Sequence, residues 1–102
     1  MYVHATLELS YSGVPQFLAI APRVKALVEA KGVKMVQGLL FTTGRLNTVV
    51  HIWKVRDMNH WHDTISSLQT HPDFPEIWAA LSASVVDEKL AFAMAAPHFP
   101  DA

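Results

Sequence analysis

The sequence has no cysteine, which removes disulfides, thiolate zinc sites and a cysteine nucleophile together. Any catalysis has to rest on histidine, carboxylate, tyrosine or serine. A surplus of positive charge is also missing: eight lysines and arginines stand against nine acidic residues, a formal net charge of −1. Nothing supplies the clustered positive field that a phosphate backbone or an anionic leaflet requires, so neither nucleic acid nor a membrane surface is an expected partner. Long apolar runs are absent too. The stretch from Leu90 to Pro97 falls far short of the roughly 18 residues of a membrane-spanning helix. Met1-Tyr2-Val3-His4 has no basic region leading into an apolar segment, and a cytoplasmic protein is expected. Gly32, Gly38 and Gly44 are isolated, and none opens a helix after a strand in the spacing of a phosphate-cradling loop, so no nucleotide cofactor is expected. Ser10 and Ser12 lack the elbow that exposes a serine nucleophile.

What is present is 102 residues, 51% of them apolar, enough for one domain covering the chain, 1–102. A domain of this size hides only a little over 60% of its unfolded surface. An apolar content at the top of the usual range therefore points to an oligomer.

Residues 2–10 alternate, with Val3, Ala5, Leu7 and Leu9 on one side and Tyr2, His4, Thr6, Glu8 and Ser10 on the other, the period of a strand. Tyr11-Ser12-Gly13 is turn chemistry, and Pro15 suits a first helical turn. Phe17, Ile20, Ala21, Val24, Leu27 and Val28 then fall on one helical stripe. That helix should run to about Lys31, where Gly32 takes the left-handed C-terminal position. Strand pattern returns over Val33 to Thr43, and Thr43-Gly44-Arg45-Leu46-Asn47 connects it as a hairpin to the β-branched run Thr48 to Val55. Asp57 is a fair N-cap for a helix carrying Met58, Trp61, Ile65 and Leu68, ended by Pro72. Asp73-Phe74-Pro75-Glu76 has the spacing of a capping box for a short third helix, and a last strand begins near Ser84.

The order strand, helix, strand, strand, helix, strand fits an α+β, ferredoxin-like arrangement, a four-stranded antiparallel sheet with helices on one face. The second, third and fourth strands read as apolar on both faces: Leu39 and Phe41 against Leu40, Val50 and Ile52 against Val49 and Trp53, Leu90 and Phe92 against Ala91 and Ala93. Helices cover one face only, so a second copy of the chain is expected to close the other, giving a homodimer that pairs its sheets into an α/β barrel.

The run from Gly38 to Trp53, Gly-Leu-Leu-Phe-Thr-Thr-Gly-Arg-Leu-Asn-Thr-Val-Val-His-Ile-Trp, and the tail Ala96-Pro97-His98-Phe99-Pro100 resemble the hallmark hairpin and ending of the NIPSNAP family, within the dimeric α/β-barrel superfamily. That resemblance implies the same fold. Its superfamily includes cofactor-free monooxygenases, isomerases, haem-handling enzymes and many proteins without an assigned activity, so it implies no single reaction. The family's first strand commonly reads Glu-x-Arg-x-Tyr where this chain has His4, Thr6 and Glu8, and no role is carried over to that strand.

Six histidines are present, the side chain suited to proton transfer near neutral pH. His51 lies inside a central strand, where it is either a structural histidine with a satisfied hydrogen bond or a catalytic, ligand-contacting one. His4 and Glu8 belong to a neighbouring strand and are candidates to orient it. If the polar stripe with Thr6 lines a pocket beneath the helices, Trp53, Phe17, Trp61 and Trp78 are its apolar walls, with His62 edging in; otherwise these aromatics are ordinary core. His60 is expected to face water. His60 and His62 are about 200° apart on a helix, and His4 and Glu8 roughly 13 Å apart along a strand, so neither pair chelates one ion and no metal site is expected. The leading expectation is a small-molecule-binding, cofactor-independent enzyme with His51, His4 and Glu8 as its acid/base group. The alternatives are a non-catalytic dimeric module, with the helices or the tail meeting a partner, and a haem- or metal-binding protein.

Overall fold

The computed structural model describes residues 1–99; Pro100, the end of the tail motif, lies outside them. Along the chain run β1 (Tyr2–Leu9), a 3-10 turn (Tyr11–Gly13), α1 (Val14–Glu29), β2 (Lys34–Leu40), β3 (Thr48–Lys54), α2 (Met58–Leu68), α3 (Phe74–Ser84) and β4 (Val85–Ala93). The strands form one sheet in the order β2-β3-β1-β4, with every neighbouring pair antiparallel. This is the ferredoxin-like α+β fold.

The alternation in β1 sets the two faces. Val3, Ala5, Leu7 and Leu9 are buried against Phe17 and Val28 of α1 and Trp61 of α2. His4, Thr6 and Glu8 point to the face that no helix covers. The 3-10 turn that leads into α1 is capped by Ser10, whose hydroxyl accepts from the Gly13 N–H at 3.1 Å. A Cβ on Gly13 would lie 2.7 Å from the Ser84 Cα, so the entrance of α1 crosses the end of α3 at a distance only glycine allows. Gly32, at φ 87°, turns the chain into β2; α1 itself stops at Glu29, two residues before the expected end.

Other boundaries depart from the sequence pattern for local reasons. β2 is shorter than Val33 to Thr43, because the connection to β3 begins at Phe41, whose N–H reaches the Thr48 carbonyl at 3.0 Å. Asn47 closes this connection onto β1: its side-chain amide donates to the Leu9 carbonyl, and its own carbonyl accepts from the Leu9 N–H at 2.9 Å. Asp57 caps α2 as expected, accepting from the His60 N–H at 2.7 Å, but α2 ends at Leu68, before Pro72 is reached. The expected capping box is not formed. Asp73 has helical dihedrals and makes no side-chain cap bond. It and Glu76 instead pair with Arg23 of α1, at 3.3 and 2.8 Å, and α3 is a full 11-residue helix.

The apolar surplus is distributed differently from the expectation. Leu40 and Leu90, 43% and 49% exposed, pair in register with Val49 and Ala5 and so lie on the helix-bearing face, incompletely covered by the helices. The open face carries Leu39, Val50, Ile52, Ala91 and Ala93 around a polar β1 row. It is an amphipathic surface, not a wholly apolar one.

Candidate functional site: a cavity between sheet and helices

A cavity of about 450 Å³ lies between the sheet and the three helices, within the range that holds a small organic ligand. His51 stands on its floor. The register pairs His51 with Ala5 of β1 and with Gly38 of β2, placing it under the helices. Gly38 leaves space beside it, since a Cβ there would press on the Met35 sulfur at 3.2 Å. The imidazole stacks with Phe17 at 6.0 Å between centroids and meets Trp53 edge-on at 5.8 Å, and Trp53 in turn touches Trp61 at 6.1 Å. Phe17, His51, Trp53 and Trp61 thus form a continuous aromatic row along the cavity.

Among the described residues, His51 has no hydrogen-bond partner, although the ring is half-buried. Burial pushes its pKa below the ordinary histidine value, because desolvation disfavours the cation. The neutral ring offers one donor and one acceptor nitrogen, both free for a molecule in the cavity.

Trp78 also lines the cavity, at its rim; it is 60% exposed and stacks on Phe74 at 6.0 Å. The other expected residues are elsewhere. His4 pairs with Ile52 and Thr6 with Val50, so His4, Thr6 and Glu8 face away from the cavity, and neither His4 nor Glu8 is placed to orient His51. Strand parity is the reason: antiparallel partners share a face, and His51 is opposite Ala5. Glu8 is engaged by Arg45, at 2.5 Å. His62 packs against Phe92 at 6.0 Å and does not line the cavity. His60, expected to face water, is 5% exposed. Its Nδ1 accepts from the Arg56 N–H at 3.1 Å and its Nε2 lies 2.8 Å from the Lys31 carbonyl, which fixes the tautomer with the proton on Nε2. No cluster of three or more metal-ligating side chains occurs among the described residues.

The sequence reasoning missed Glu88. It pairs with Leu7 on β4's helix-bearing side and lines the cavity, where its apolar surroundings push its pKa upward. It makes no ion pair or hydrogen bond among the described residues. The available signal was the alternation Glu88, Leu90, Phe92, an acidic residue on the stripe that faces the core.

Fold and cavity together define the class: a ferredoxin-like α+β protein with an aromatic-lined chamber between sheet and helices. The NIPSNAP family profile matches residues 2–98, and the chain belongs to the NIPSNAP family. Among solved structures it is similar to an uncharacterized NIPSNAP domain protein from Burkholderia xenovorans, at 22% identity over 99% of this chain and 100% of that one, with a TM-score of 0.79. It is also similar to protein Atu4242 from Agrobacterium tumefaciens, at 16% identity over 97% and 96%, TM-score 0.84. A third is SnoaB, a cofactor-independent oxygenase from Streptomyces nogalater, at 16% identity over 94% of both chains, TM-score 0.64. No curated protein matches the chain. Among the described residues, no helix is long and apolar enough to cross a membrane.

Proposed function

We propose that this protein binds a small, mostly apolar ring compound in the cavity and acts on it by proton transfer at His51 without a cofactor. The observation that carries this reading is a half-buried imidazole with no protein partner, facing a cavity of about 450 Å³. The neutral ring is a base by virtue of its free nitrogen. A positioned imidazole contributes about 10²- to 10⁴-fold, which suits isomerisation, dehydration, cyclisation or oxygenation of an already activated substrate. The aromatic row supplies orientation and excludes water. SnoaB, similar in fold, is a cofactor-independent oxygenase, which supports chemistry without a bound cofactor on this scaffold. We further propose that the working form is a homodimer whose second copy covers the open sheet face; the exposed Leu39 and the half-buried Ile52 on that face support this, as does the family's place among dimeric α/β barrels.

Titration with 2-naphthol, a planar ring with one hydroxyl, followed through tryptophan emission, tests the site. Saturable binding is expected, weakened about five- to tenfold in His51→Leu by the loss of one hydrogen bond. No saturable binding, or the same affinity in the variant, overturns the reading.

A further inference from the structure

We infer that Glu88 determines which ligands the cavity accepts, selecting uncharged molecules that carry a hydroxyl group and rejecting anions. This rests on the reading of the cavity as a ligand site and adds the chemical class of the ligand. Two ionisable side chains without protein partners face the cavity, His51 from β3 and Glu88 from β4. Their strands are separated by β1. His51 is level with Leu90 through Ala5, and Glu88 lies two residues further along β4. With strands about 4.8 Å apart and about 3.3 Å per residue, the two Cα atoms are roughly 12 Å apart. Side chains reaching inward from those positions leave room for one or two fused rings, with a polar contact at each end.

The charges around Glu88 decide its effect. From α1, Lys25 also borders the cavity, but its ammonium is held by Glu29 at 2.6 Å. On β4 itself, Asp87 and Lys89 have the opposite strand parity and pair with each other at 2.8 Å on the open face. No cation among the described residues neutralises Glu88. An incoming carboxylate or phosphate therefore meets a negative group in a partly desolvated site, where like charges repel far more than in water. An alcohol, phenol or ketone meets no such penalty. An alcohol or phenol also donates a hydrogen bond to the carboxylate.

The test compares 2-naphthol with 2-naphthoate, two molecules of nearly the same shape that differ in charge, at neutral pH in the parent and in Glu88→Gln. Glu88 is exposed at the cavity rim, and glutamine keeps its size, so the variant is expected to fold; its circular dichroism and melting profile are recorded alongside. In the parent, 2-naphthol should bind and 2-naphthoate bind much more weakly. In Glu88→Gln the ratio of the two affinities should fall by about tenfold, the size of a like-charge repulsion across several ångström of partly desolvated space. Binding of 2-naphthol with an unchanged ratio in the variant overturns the role of Glu88 and leaves the cavity reading standing. Binding of neither compound to the parent overturns both.

Discussion

Two histidines of this chain are buried to very different ends, and the difference lies in their partners. His60 is tied at both ring nitrogens, to Arg56 and to the Lys31 carbonyl. Replacing it with alanine removes the partner of a part-buried N–H and a part-buried carbonyl, so His60→Ala should lose about 1–2 kcal/mol, read from urea denaturation. His51 is tied at neither, and its pKa is lowered by burial alone. The sign of its linkage follows. Above the ordinary imidazole value of about 6.5 the ring is neutral folded and unfolded and has no effect on stability. As pH falls below that value the unfolded chain takes up the proton first, so the parent loses stability until the folded pKa is passed. His51→Leu removes this term: the parent's urea midpoint should fall more than the variant's between pH 8 and pH 5, and equal shifts would contradict the burial.

At the scale of elements, the order of strands and helices was legible because each carries its period openly: two in β1, 3.6 in α1 and α2. The ends were less legible. The Asp73-x-x-Glu76 spacing reads as a capping box, but both carboxylates are drawn to Arg23 on a neighbouring helix, a partner 50 residues away that no local pattern contains. The candidate site was half legible for a related reason. Phe17, His51, Trp53, Trp61 and Trp78 were found by residue type and stripe, whereas His4 and Glu8 were associated with His51 without the register, and one residue of register decides the face. Glu88 was overlooked because a single charge in an exposed-looking Asp-Glu-Lys run reads as solvated surface. The crossing of α1 over α3 offers a direct check on packing at this scale. Gly13→Ala forces its new carbon against the Ser84 backbone and should cost about 1–3 kcal/mol, measured as a drop in the denaturation midpoint with native-like circular dichroism retained.

At the scale of the whole molecule, the apolar side chains left in water lie on both sides of the sheet. Those on the open face are the ones the proposed homodimer would cover, and a charge placed among them should oppose it. Ile52→Asp, in the centre of that face, should weaken self-association by at least about a hundredfold, because an unpaired carboxylate would be buried at the contact. Sedimentation should then show an 11.3 kDa species where the parent shows twice that mass. A monomeric parent at micromolar concentration would remove the homodimer from the proposal. The His60 bracket has a consequence for traffic through the chamber. One imidazole fastens the segment after α1 to the segment before α2, so these two walls travel together. The ligand proposed for the chamber would then pass elsewhere, where Trp78, 60% exposed, stands at the rim.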